Sequence, residues 1–324
     1  MSIFKRISKW VNAESKRSGN KRICVYFKML LDYIRYGVNP KEYYYFKFNG
    51  KTPEQKKSFF TRNMFRKFLK RNNNPSFVQI LNDKYIFSKT YSEFLGRRVI
   101  RSNKLLTVSD LEYIFDGTDK VVYKPQDGSG GMGIQIIRKS EYSDLNILAE
   151  KLRSMPEAVI EQWINQHEEM SKAYPYAVNC LRISTMYRDG KCTLLGGIFT
   201  LGVEKAEIAN ALQHSLFGLI DLETGEVFTD LCDYSDNLYT NHPDTGFASK
   251  GFVIPYWKEI VEMVQKAAAI VPQVGYVGWD VAISENGPVL IEGNSLSAGY
   301  IGYQHYLLRD DSRGTYDIWG QFID

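Results

Sequence analysis

The sequence predicts an α+β fold, with helices and antiparallel strands mixed rather than alternating as parallel βαβ units. Three observations carry that reading. Strand-like runs at 178–187, 193–201 and 215–220 succeed one another after residue 176. A late hairpin over 275–294 places two β-rich runs around Glu285-Asn286-Gly287, a strong turn signal. A glycine-rich loop at 126–133 separates two short strand patterns, 121–125 and 134–137.

The elements follow in order. Residues 3–16 and 21–37 read as amphipathic helices, with apolar residues at helical spacing among lysines and arginines; Gly37 and Pro40 end the second. Residues 43–46, three tyrosines and a phenylalanine, read as a strand or a stacking platform, with plain packing the simpler alternative. Thr52-Pro53 opens a basic helix expected to run to about Lys70, and Arg71-Asn-Asn-Asn-Pro75 breaks it and marks a domain boundary. A helix with Asn82-Asp83-Lys84 at its start follows, then a strand at 98–101, a helix around 143–155, a strand at 158–161, and a helix at 255–270 before the late hairpin.

With 324 residues the chain is long enough for two or three packed subdomains. No apolar run approaches bilayer-spanning length, and the charged start lacks the apolar core of a signal peptide, so a cytoplasmic location is expected. The 4 cysteines show no metal or redox spacing and the 4 histidines are scattered, which excludes a zinc site and a disulfide framework. The net charge of +4 conceals an asymmetry: residues 1–75 hold 19 Lys and Arg against 4 acids, and the remainder holds 22 against 33. A head of +15 on a body of −11 points to an anionic partner, whether lipid, nucleotide-sugar, polyanionic saccharide or nucleic acid, unless the basic face is simply solvated.

In the late hairpin, a three-residue loop pairs Ser284 with Pro288 and puts Asp280 opposite Glu292, with Asn294 on the same face. Facing carboxylates about 5 Å apart repel, so a cation belongs between them. Three hard oxygen ligands on a rigid ribbon suit Mg²⁺, which keeps waters and shares itself with phosphates. A two-residue turn would instead aim Glu292 away from Asp280, and the plain alternative is a solvated acidic hairpin. In the other hairpin, Lys124 precedes Gly128, Gly130, Gly131 and Gly133, a loop whose backbone N–H groups can approach phosphate. It is not a P-loop, since no Gly-Lys-Ser/Thr ending is present and a strand follows; a flexible hairpin tip is the plain alternative.

Lys84, Lys124 with its glycine loop, Val159-Ile160-Glu161-Gln162-Trp163-Ile164 and the Asp280/Glu292/Asn294 hairpin occur in the order found in ATP-grasp enzymes, and the stretch from about 80 to 300 resembles that superfamily. Asn179-Cys-Leu-Arg182-Ile-Ser, Asn210-Ala-Leu and the run from Phe217 to Gly225, behind a small basic helical head, resemble its sugar-transfer-associated branch, linked to bacterial surface polysaccharides. The resemblance implies an ATP-grasp fold: a basic, mainly helical region 1–78, an N-lobe 79–160 with a glycine-rich lid, and a C-lobe 161–324 with the metal hairpin. It implies ATP held between the lobes, with Lys84 and Lys124 on the phosphates and Gly128, Ser129, Gly130, Gly131, Met132 and Gly133 closing over them. Glu161, Gln162, Trp163 and Ile164 would meet the adenine edge, and Glu168 or Glu169 the ribose. Asp280, Glu292 and Asn294 would hold one or two Mg²⁺ ions, or Mn²⁺ in their place.

Arg182, with Lys124 and Asn294, would serve catalysis by stabilising an acyl-phosphate or tetrahedral intermediate, a surface salt bridge being the alternative for Arg182. Asn210 and Ser295 would touch substrate or the metal shell, and His214 is the nearest proton acceptor for an incoming amine unless it is structural. The implied reaction is carboxylate–amine ligation on a sugar acid or amino acid, through an acyl-phosphate and with release of ADP. The front departs from the family pattern: ATP-grasp ligases such as D-alanine–D-alanine ligase carry an α/β domain where this chain has basic helices, so their substrates do not transfer. Two rival readings are a grasp-fold kinase acting on a saccharide or polyol hydroxyl, and a non-enzymatic module binding nucleic acid or membrane through its head. Nucleic acid is not the expected partner; peripheral association with the inner face of a membrane is expected of the basic helices.

Overall fold

In a computed structural model, which describes residues 3–128, 131–208, 215–233, 235, 237–296, 300–304, 308 and 312–323, the regular structure before the first strand is helical. Helices Ile3–Ser18 and Arg22–Tyr36 are followed by Pro40–Tyr45, Pro53–Lys57, Arg62–Asn72, Pro75–Asn82 and Lys84–Thr90. Polar caps explain the boundaries. Asn39 with Glu42 and Thr52 with Gln55 form reciprocal capping boxes, each followed by a proline at the first helical position. Gly37 ends the second helix in the left-handed conformation, φ 70°.

At residues 43–46 the packing reading holds rather than the strand: Tyr43 and Tyr45 lie in the capped helix, buried in a small aromatic core. One expectation for this region is corrected: the single helix expected from Thr52 to Lys70 is two, interrupted at Phe59 and Phe60. Burial decides it. Phe59 stacks on Phe46 at 4.8 Å in one cluster, Phe60 meets Trp319 at 5.5 Å in another, and Thr61 caps the second helix by accepting from the Met64 N–H.

The first sheet comprises β1 (Val99–Ser102), β2 (Lys120–Pro125), β3 (Gln135–Arg138) and β4 (Ala158–Gln162), antiparallel in the order β1-β4-β2-β3. Helices Val108–Phe115 and Leu145–Ser154 cover one face, burying Leu111, Ile114, Leu148 and Leu152 against Ile100, Tyr123 and Ile160. Side chains alternate along a strand, so Lys124 and Glu161 share the opposite face.

The second sheet comprises β5 (Cys180–Arg188), β6 (Lys191–Gly202), β7 (Ser215–Ile220), β8 (Leu231–Cys232), β9 (Leu238–Tyr239), β10 (Tyr276–Ser284) and β11 (Gly287–Asn294), in the order β11-β10-β5-β6-β7-β8-β9. Helix Trp257–Ile270 packs Ile260, Val264 and Ala267 into a core with Leu181, Ile183 and Trp279. A second cluster on this sheet joins Phe60, Phe65 and Phe68 to Tyr276 and Trp319. The fold is thus α+β in two lobes behind a helical N-terminal region. After β4 the chain runs onto the second sheet, where the His167 N–H donates to the Ile283 carbonyl at 2.9 Å and the Glu285 N–H to that of Asn165 at 3.1 Å.

Candidate active site

The β10–β11 hairpin pairs Ser284 with Gly287, Ile283 with Pro288 and Val281 with Leu290, so its loop has two residues, not the three expected. A regular ladder from that loop would place Ile291 opposite Asp280. A β-bulge between Asp280 and Val281 shifts the register instead, and Asp280 pairs with Glu292 and Gly278 with Asn294. The expectation that a two-residue turn would separate the carboxylates is therefore corrected: Ile291 is the extra residue that brings them together.

Register on the other side of β10 puts Arg182 of β5 opposite Asp280, so Arg182, Asp280 and Glu292 form one row across three strands. Arg182 grips Asp280 through two nitrogens, Nη2 to Oδ2 at 2.9 Å and Nε to Oδ1. It is mostly buried, so the surface-salt-bridge reading does not hold. Asn294 Nδ2 donates to Glu292 Oε1 at 3.1 Å and to Asp280 Oδ2 at 3.3 Å. Burial pushes the Asp280 carboxyl up to about 6, with Arg182 pulling against it and Glu292 adding to it. Burial would raise Glu292 as well, but hydrogen bonds from Asp280 and Asn294 and the Lys124 ammonium hold it below its ordinary value. Arg182 and Lys124 thus supply positive charge that offsets the two facing carboxylates.

That donor set fits Mg²⁺. Among the described residues no group of three or more His, Cys, Asp or Glu could ligate a metal. A buried and a half-buried carboxylate bridged by an amide suit an ion that completes its shell with water and phosphate oxygens. Ser295 is buried beside this row, its Oγ donating to Asn82 Oδ1 at 3.2 Å.

The first lobe faces the row with lysines. Lys124 Nζ lies 2.8 Å from Glu161 Oε2. Lys84 Nζ donates to the carbonyls of Gln126 (3.0 Å) and Gly128 (2.8 Å), so it holds the start of the glycine loop in place. Burial lowers the Lys84 ammonium's pKa, with Glu292 opposing the shift. Gly131 and Gly133 have φ of 81° and 75°, where a side chain would be strained, and a Cβ on Gly128 would meet the Met132 carbonyl at 2.7 Å. Met132 is exposed. Ser129 and Gly130, like Asn210 and His214, lie outside the described residues.

The adenine-edge expectations are partly redirected. The Glu161 carboxylate is held between Lys124 and Arg97 rather than left open at the hinge. The N–H groups of Gln162 and Trp163 are committed to the carbonyls of Arg98 and Lys120, and the Gln162 side chain bonds the Arg98 N–H and the Asp116 carbonyl. A purine edge would meet the carbonyls here, or backbone from Ile164 onward. Beside it, Trp163, Ile164 and Asn165 line a cavity of about 120 Å³ with Arg97 and the hairpin tip at Glu285 and Asn286. The Lys120 ammonium lies 4.5 Å from the Trp163 ring centre. Glu169 pairs with Lys172 at 2.5 Å, whereas Glu168 is exposed.

Two residues of this region escape a sequence reading. Arg97 is one of many arginines, and only the fold sets it against Glu161. Asn73, read as part of a helix breaker, is buried: its Nδ2 donates to the carbonyls of Tyr276 (3.0 Å) and Ser295 (2.9 Å), and its Oδ1 accepts from the Tyr276 N–H at 2.8 Å. The run of three asparagines carries no signal for which of them does this.

Among solved structures, the chain is similar to an ADP complex of N5-carboxyaminoimidazole ribonucleotide synthetase, with 9% identity, a TM-score of 0.42, and coverage of 68% of this chain and 46% of that one. It is similar to an L-amino acid ligase from Bacillus licheniformis, with 14% identity, a TM-score of 0.42, and coverage of 70% and 44%. For D-alanine–D-alanine ligase from Bacillus anthracis in complex with ATP the figures are 18%, 0.39, 75% and 68%. The chain thus spans less than half the length of the first two. No curated protein matches it. The model of the sugar-transfer associated ATP-grasp family matches residues 63–304, and the chain belongs to that family.

Proposed function

We propose that this protein is an ATP- and Mg²⁺-dependent carboxylate–amine ligase that forms an amide through an acyl-phosphate. The observation that carries the reading is the row Arg182–Asp280–Glu292, bridged by Asn294 and within electrostatic reach of Lys84 and Lys124. Two anionic ligands beside several fixed cations make a site for a metal-bound polyphosphate, not for an apolar ligand.

Each side chain has a physical task. Lys124 and Lys84 position the phosphate chain, and Lys84 also sets the loop that shields it from water. Asp280, Glu292 and Asn294 would hold Mg²⁺, which when bound neutralises charge on the phosphate oxygens. Arg182, beside the same row, supports the negative charge that develops as a substrate carboxylate oxygen takes the γ-phosphoryl group and ADP departs. An amine then bonds to the acyl carbon, the phosphate leaves, and the amine's proton passes to a base. Ile164 and the following backbone would meet adenine, and Glu168 the ribose, since Glu169 is occupied by Lys172.

We take the carboxylate to be a sugar acid or an amino acid, in bacterial polysaccharide synthesis; the family's description, sugar-transfer associated, supports the link to sugar transfer. We place the reaction in the cytoplasm, where ATP is supplied. The test is phosphate release by purified protein offered ATP, Mg²⁺ and pooled sugar acids and amino acids. ADP and inorganic phosphate should appear only when acid and amine are both present. A stable phosphorylated saccharide without free phosphate would identify a kinase instead.

A further inference from the structure

Helix Arg22–Tyr36 carries two apolar faces. One, with Val25 and Met29, is buried in the core of the N-terminal region. The other points outward: Ile23, Phe27, Leu30, Leu31 and Ile34 are all exposed, Phe27 at 55% and Ile34 at 71%. At about 100° per residue these side chains, with exposed Tyr26 and Tyr33 along one border, span roughly 160° of the helix circumference. Arg22 lies beyond the tyrosine border, and Lys28 and Arg35 beyond the other; all three are exposed.

The charges around this stripe are one-sided for a structural reason. Of the 4 acids in residues 1–75, Glu14, Asp32 and Glu42 are buried. Glu14 pairs with Arg17, Asp32 lies 2.7 Å from Lys56, and Glu42 caps its own helix and accepts from the Arg62 N–H. Only Glu54 is exposed, so the outer surface of the head is almost wholly positive. An apolar stripe between basic borders, with tyrosines at the edge, matches a bilayer interface: hydrocarbon for the stripe, anionic headgroups for the flanks. Nucleic acid would leave the stripe unused. A second copy of the chain would set one basic head against another, which repels.

We propose that this outward face docks on an anionic lipid bilayer and holds the enzyme at the membrane surface. The helix lies in the interface and does not cross it: no helix among the described residues is long and apolar enough to span a membrane.

The test is co-sedimentation of the full chain with phosphatidylcholine vesicles, with and without an equal part of phosphatidylglycerol. Binding should require phosphatidylglycerol and weaken with added salt. The combined Ile23→Ser, Phe27→Ser and Ile34→Ser variant should bind about tenfold less or worse, because it removes the inserted area. Its thermal unfolding should be unchanged, because the three side chains are already in water. Cys24 is the exposed one of the 4 free cysteines. An environment-sensitive dye there should shift to shorter wavelength on the mixed vesicles only. Equal binding to pure phosphatidylcholine, or full binding by the triple variant, overturns the proposal. So does a wild-type dimer in solution that the triple variant converts to monomer without loss of vesicle binding.

Discussion

Arg97 clasps the Glu161 carboxylate with two nitrogens, at 2.6 and 2.9 Å, while its Nη1 donates to the carbonyl of Leu290 at 2.7 Å. One side chain thereby ties β4 of the first sheet to β11 of the second, two residues from Glu292. The hydrogen bond to Leu290 joins the sheet that bears Lys124 to the strand that bears Glu292.

The pair should make stability pH-dependent. Burial alone would raise the Glu161 pKa, but Arg97 and Lys124 outweigh it and hold the carboxyl at about 2, against an ordinary 4.5. A carboxylate depressed on folding stabilises the fold above its unfolded value and loses that contribution as pH falls through its folded value. Glu161→Gln should therefore cost about 3–5 kcal/mol near neutrality, because it strands the buried Arg97 guanidinium and the half-buried Lys124 ammonium. Urea midpoints of the two proteins should converge as pH falls from about 5 toward 2. A difference independent of pH would show that the ion pair is not the cause.

Glu292→Ala should reduce ATP-dependent phosphate release more than about a hundredfold. The fold should lose less than about 1 kcal/mol, since the change relieves a like-charge contact. Normal turnover by this variant would refute the metal assignment.

The two lysines should fail differently. Lys84→Ala frees the carbonyls of Gln126 and Gly128, so protease should cut the 126–133 loop faster and ATP affinity should fall about tenfold. Lys124→Ala should weaken ATP binding without changing the cleavage pattern. Identical proteolysis and affinity in all three proteins would dismiss the loop's role.

Asn73→Ala leaves the N–H and carbonyl of Tyr276 and the carbonyl of Ser295 without their partner, at a cost of about 2–4 kcal/mol. Chemical unfolding measures it. A shift below about 0.5 kcal/mol would mean that water replaces the amide.

The lysines, the glycine loop and the carboxylate hairpin were legible in sequence because each is a local pattern: alternation along a strand, a turn signal, a run of glycines. The helical front was legible from apolar spacing, except where Phe59 and Phe60 leave the helix to fill two separate cores. Glu161 stood out in the sequence but its ion pair did not, because its partner Arg97 lies 64 residues away in the chain.

By itself, then, the sequence determined which residue types stand at short intervals, and with them the α+β class, the spacing of Asp280, Glu292 and Asn294 and the basic head. Tertiary structure alone decided the bulge that makes the two-residue turn compatible with facing carboxylates. It also set Lys84 against the loop carbonyls, buried three of the head's four acids, and turned Ile23, Phe27 and Ile34 outward. The physical reason is range. Periodicity and turn chemistry act over a few residues, whereas burial and ion pairing depend on which distant segment arrives on the other side.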